Sequence, residues 1–213
     1  MRLMKNAVHL TALLVLAGCS TIKYNTLEKI GIHKRDLLVG NVEDTRDAQK
    51  DAQEQFQDAL ERFGTIVTIE ETDLKEAYDD LNDEYKDSVD AAEEVSKQID
   101  EVEQVAADLF TEWQEENKLY TDQDLRRESE NKLRDTKARY NGMLKSMQDA
   151  EASMQPILAS LRDNVLYLKH NLNAQAVGSL RISFNELEGD IGILLERMNQ
   201  SIARSNDFIN QLN

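Results

Sequence analysis

Proline occurs once in the 213 residues, at Pro156, and glycine only eight times. Scarce glycine and proline exclude the repeated tight turns that sandwiches and barrels require. They leave room for long, unbroken helices. There is one cysteine, Cys19, so no disulfide can form within the chain. Aromatic residues make up 6%, too few for a thick globular core. The histidines are three, His9, His33 and His170, and they stand far apart. No Glu-x-x-His, His-Glu-x-x-His, phosphate loop or glycine-rich nucleotide motif occurs. Di-iron bundles, zinc proteases and nucleotide-binding enzymes therefore have no carriers here. No catalytic residue, metal ligand or cofactor is expected, and the chain is read as non-enzymatic. Neighbouring acids such as Asp79-Asp80, Glu93-Glu94 and Glu115-Glu116 do not converge when they sit side by side on a helix. Their reading is a solvated face.

Positive charge is also in short supply, with 25 Lys and Arg against 41 Asp and Glu and a net charge of −16. The deficit is local. Residues 69–118 hold 19 acidic residues against four lysines, whereas residues 119–171 are nearly balanced. A strongly acidic arm repels nucleic acid and anionic headgroups, which removes nucleic acid as a partner. Such a composition also suits a disordered chain. The hydrophobic pattern argues against disorder.

That pattern is a stripe in alternating steps of four and three. From Leu74 it reads Tyr78, Leu81, Tyr85, Ser88, Ala92, Val95, Ile99, Val102, Ala106, Leu109, Trp113, Glu116 and Tyr120. A second stripe runs from Ser129 through Leu133, Thr136, Tyr140, Met143, Met147, Ala150, Met154, Ile157, Leu161 and Asn164 to Leu168. A sustained period of 3.5 residues marks helices that wrap on one another. If the chain reverses near Thr121, the stripes pair without a slip: Trp113 meets Ser129, Leu109 meets Leu133 and Val102 meets Tyr140. Each arm is then roughly 75 Å of helix.

The expected fold is all-α: a long antiparallel helical hairpin, or coiled coil, flanked by two shorter helices that form an elongated four-helix bundle at its base. Helices are expected at about residues 34–63, 69–119, 122–171 and 178–212. The first carries the stripe Leu38, Val42, Thr45, Gln49, Ala52, Phe56, Ala59, Phe63, and ends where Gly64 and four β-branched residues disfavour helix. Thr68 with Glu71, and Thr121 with Asp124, are the start signals of the next two helices. Pro156 predicts a kink but no reversal, because the stripe keeps phase across it. Asn171, Asn173 and Gly178 mark the second reversal. Basic residues of Arg126–Lys145 are expected beside acids of the second helix, including Glu103, Asp108, Glu115 and Glu116. Such exposed pairs contribute about 0.3–0.5 kcal/mol each, enough for register but not for stability. Residues 101–141 would project as a bare two-helix tip. Phe110, Trp113 and Tyr120 on that tip form a candidate contact site for a partner, a membrane or a second copy. The bland reading of the three is packing.

Residues 1–18 read as a secretion leader. Arg2 and Lys5 make a positive start, and the apolar run Ala7–Leu16 is too short to span a bilayer. It ends in Leu16-Ala17-Gly18-Cys19, which resembles the lipobox of bacterial lipoproteins. That resemblance implies cleavage before Cys19 and acylation of Cys19 at its sulfur and its new amine. Several acyl chains anchor stably where one would be marginal. A non-Asp residue at Ser20 implies sorting to the outer membrane. Residues 19–33 are then a lipidated tether, and residues 34–213 form the elongated bundle.

The segment Lys34-Arg35-Asp36-Leu37-Leu38-Val39, with Val42-Glu43-Asp44-Thr45-Arg46-Asp47-Ala48-Gln49, resembles the start of a bacterial protein family of unknown function. Tyr167-Leu168-Lys169-His170-Asn171-Leu172-Asn173-Ala174-Gln175-Ala176 resembles its second hallmark. The resemblance implies a helical envelope protein, often lipidated, and carries no activity. The functional expectation is a lipid-anchored scaffold, spacer or adaptor facing the periplasm, with an envelope protein or itself as partner. The alternative is a binding module that carries a small apolar ligand or a divalent cation, for which a cavity lined by Tyr140, Met143, Met147 and Met154 would be the sign.

Overall fold

The computed structural model describes residues 34–68, 74–171 and 174–212. All four of its elements are helices: α1 (Lys34–Ile66), α2 (Leu74–Asn117), α3 (Gln123–His170) and α4 (Ala174–Leu212). The leader, Cys19, the tether 19–33 and Glu71 of the expected capping box lie outside the described residues. Each helix packs on two neighbours, α1 on α2 and α4, and α3 on α2 and α4. Successive helices run antiparallel, giving an up-down-up-down bundle. The long hairpin is α2 with α3, about 66 and 72 Å of helix, and the shorter α1 and α4 flank it.

The stripes are the core. All eight expected positions of α1 are buried, Thr45 and Gln49 included. On α3 every stripe residue from Leu133 to Leu168 is buried. Burial of such side chains contributes about 1.5–3 kcal/mol each, before the cost in chain entropy. That total outweighs local preference at the ends of the helices. α1 continues through Gly64 and Thr65 because Ile66 and Val67 bury against the base. Gly64 lies under the ring of Phe184, where a Cβ would sit 3.2 Å from ring carbon. Phe63 meets that ring edge-on, with centroids 5.7 Å apart.

The starts of α3 and α4 also differ from expectation. The N-cap of α3 is Asp122, not Thr121: its carboxylate accepts from the amides of Asp124 at 2.8 Å and Leu125 at 3.1 Å. An ionised carboxylate at the positive end of a helix is a stronger cap than a hydroxyl. α4 begins at Ala174, four residues early, and Gly178 lies inside it. Val177 and Leu180 are buried at the base, and that burial offsets the weak helix preference of glycine. α3 runs unbroken through Pro156, which faces outward while Met154, Ile157 and Leu161 stay buried.

The hairpin register also departs from level pairing. Trp113 does meet Ser129. Farther down, Phe110 packs edge-on against Tyr140, Ser96 bonds Glu151 and Gln148 bonds Glu103. Each of these α2 residues lies nearer the tip than the level pairing places it. Side chains on a helix lean toward its N-terminus, so on antiparallel helices they lean past one another. The same lean leaves the expected cross-hairpin ion pairs unmade. Arg126 pairs with Glu130, Arg127 with Asp124 and Lys145 with Asp149, all within α3 and one turn apart.

The bare tip is shorter than residues 101–141. The side-chain amide of Asn41 donates to the carbonyl of Glu101, and Lys34 reaches Glu112 at 2.9 Å. Arg139 donates to Gln211, and Phe208 packs on Tyr140. Four helices therefore cover the hairpin as far as Phe110.

Buried hydroxyls on the stripes bond back to the preceding turn: Thr45 to the carbonyl of Asn41, Ser88 to Glu84 and Ser205 to Ser201. Gln49 does not. It is fully buried, and neither its amide nitrogen nor its oxygen has a partner. It lies between Arg46 and Gln53, which hydrogen-bond Asn206 and Asn199 of α4. Ser201, whose hydroxyl is also unpartnered, lies on the buried face of α4 in that interval. A buried amide without partners costs about 1–3 kcal/mol. Gln49→Leu, which keeps the volume, should raise the melting temperature by a few degrees, read by circular dichroism. A lower melting temperature would show that the amide is bonded in solution.

Candidate functional site

At the tip, α2 winds down through two carbonyl bonds of the tight i to i+3 type, Lys118 to Glu115 and Leu119 to Glu116. Tyr120 and Thr121 follow before the Asp122 cap restarts helix. The reversal is held by a partly buried polar relay. The indole N–H of Trp113 donates to Ser129 at 2.9 Å, and the Ser129 hydroxyl donates to the Asn117 side-chain oxygen at 2.6 Å. Asn117 is buried, so the relay leaves no orphan where the helices part.

Beside this relay an open groove of about 950 Å³ lies between the start of α1 and the hairpin tip. Leu109, Trp113, Tyr120 and Leu125 supply its apolar surface, and Lys34, Arg35 and Lys132 face Glu112, Glu116 and Glu128 around it. The charges are thus mixed and nearly balanced. Leu119 and Leu125 are 79% and 53% exposed, and Tyr120 is 42% exposed.

The three residues expected to form a contact tip are therefore divided. Tyr120 is exposed and Trp113 is half-buried against Ser129. Phe110 is 6% exposed and belongs to the core, packed on Tyr140 with the Lys137 ammonium 5.3 Å above its ring. It is more buried than Phe184 at the base. The reason is the reach of α1 and α4, which cover the level of Phe110. Neither Leu125 nor Lys34 is among the residues expected at the tip. Leu125 had a signal, since it lies one step of four before Ser129 and extends the α3 stripe into the first turn of that helix. Lys34 had none, because only the packing of α1 on α2 brings it to Glu112.

Tyr140, Met143, Met147 and Met154 are packed into the continuous core and do not line this groove. Burial pushes the Tyr140 phenol up to about 12, and the Glu103 carboxylate adds to the shift. Among the described residues no group of three His, Cys, Asp or Glu is placed to hold a metal ion, and no helix is long and apolar enough to cross a membrane.

The chain belongs to the family of proteins of unknown function DUF2959, whose model matches residues 23–212. No curated protein and no solved structure matches it.

Ser129→Ala would strand the Asn117 oxygen and the Trp113 N–H together. The tip should loosen by about 1–3 kcal/mol. Hydrogen exchange at residues 113–129 should rise while the base stays protected, and uniform protection would sink the relay. The Tyr140 shift carries its own consequence. Unfolded tyrosine ionises near pH 10, whereas Tyr140 in the bundle keeps its proton up to about 12. Its contribution is full below pH 10 and is lost as pH rises from 10 to about 12. Tyr140→Phe should therefore lose less stability than the native chain between about pH 8 and about pH 11, compared by urea midpoints. Equal losses would contradict this.

Proposed function

We propose that the protein is a lipid-anchored, non-enzymatic spacer or scaffold of the bacterial envelope, held in the outer membrane by an acylated Cys19 with its bundle in the periplasm. The observation that carries this reading is the order of signals in residues 1–20: a positive start, a short apolar run, Leu16-Ala17-Gly18-Cys19 and a non-Asp Ser20. A lone thiol at that point has no disulfide to make and is the nucleophile that a diacylglycerol transfer needs. The form of the bundle supports the mechanical part. Its seam is continuous over about 70 Å, and a rod of that length holds two surfaces at a set distance without chemistry of its own. A partner from the envelope, or a second copy, would complete the scaffold.

Cys19→Ser in the full chain should abolish labelling by a fatty-acid probe and move the protein from the membrane fraction to the soluble one. A mutant that stays with the membrane overturns the anchor.

A further inference from the structure

The bundle has two unlike ends, and the start of α1 lies at only one of them. Lys34 is ion-paired to Glu112, so the chain enters the bundle beside the hairpin tip, with the base about 50 Å away along α1. Cys19 lies fifteen residues before Lys34. Fifteen residues reach at most about 50 Å at full extension, and any compaction shortens that span. Only a tether drawn back along α1 by more than half that span would bring Cys19 nearer the base than the tip.

The tip has the surface of a group that meets a lipid–water boundary. Leu119, Tyr120 and Leu125 are exposed within seven residues, and Trp113 lines one groove with Tyr120 and Leu125. Leucine with amphipathic aromatic rings suits the headgroup boundary, where one end of a side chain is apolar and the other is wet. The charges around them are also suitable for a neutral surface. Lys118 is paired to Glu115, Arg126 to Glu130 and Arg127 to Asp124, and the acids Glu116 and Glu128 beside them make an anionic surface the poorer match.

We infer that the α2–α3 tip, through Leu119, Tyr120 and Leu125, rests on the zwitterionic surface of the membrane that anchors the chain, so that the rod stands with its base pointing away. The inference rests on the anchoring proposed above. Two contacts, acyl chains and tip, hold a rod upright where one leaves it free to swivel. The base, where Phe63 of α1 and Phe184 of α4 meet, is then the end that is presented to the periplasm.

Trp113 is the single tryptophan and reports on the tip directly. The full-length lipidated protein is reconstituted into phosphatidylcholine vesicles with brominated or ordinary acyl chains. Trp113 emission should fall by about half in the brominated vesicles. The triple variant Leu119→Ser, Tyr120→Ser, Leu125→Ser should float with the vesicles, keep its helicity and lose the quenching. The control Ile182→Ser, Ile193→Ser, which removes exposed apolar residues of α4, should be quenched like the native chain. A native protein that floats but is not quenched overturns the tip contact and leaves the anchor standing. If its tip then cross-links to another copy, the apolar loop is a dimer surface instead. A native protein that does not float overturns the anchor and this inference with it.

Discussion

Four helices bury their stripes in a seam that is one side chain deep. Nothing else in the described chain supplies a comparable area of dry contact: most surface ion pairs lie within one helix, and only Lys34–Glu112 and Arg62–Asp80 join α1 to α2. Every other feature depends on that seam. It carries α1 past Gly64 to Ile66 and draws α4 back over Gly178. It keeps α3 in phase across Pro156. Because the seam is thin, each turn contributes only one or two residues from each helix. A polar residue on the stripe therefore occupies a large share of its layer. Thr45, Ser88 and Ser205 are tolerated because each hydroxyl reaches the carbonyl of the preceding turn. The Gln49 amide is too long for that bond and remains a local weakness.

The two ends of the rod resolve the same geometric problem differently. At the base, Phe63 and Phe184 meet edge-on, and Arg181 donates to the carbonyl of Val67, so α1 and α4 are joined there by packing and one charged bond. At the tip only two helices remain beyond Phe110, and a two-helix seam cannot cover itself. The chain closes it with the Trp113–Ser129–Asn117 relay and leaves Leu119, Tyr120 and Leu125 in solvent. Exposed apolar side chains on a capped, charge-paired loop are a cost to a protein without a use for them. That asymmetry links the fold to the proposed orientation on a membrane.

Much of this was legible in the order of residues. The four stripes, the reversal before residue 123 and the pairing of Trp113 with Ser129 follow from 3.5-residue periodicity, which is a local property that the chain carries with it. Tertiary structure decided the rest, because it turns on distances between residues far apart in the chain. The lean of side chains toward each N-terminus offset the hairpin register and kept the ions of α3 on their own helix. The reach of α1 and α4 placed Phe110 in the core and left Tyr120 outside, which no stripe could distinguish. Above all, the packing of α1 on α2 set Lys34 against Glu112 and so put the entry of the chain at the tip. Periodicity states which face of a helix is dry; only the assembled bundle states how far its neighbours extend along it.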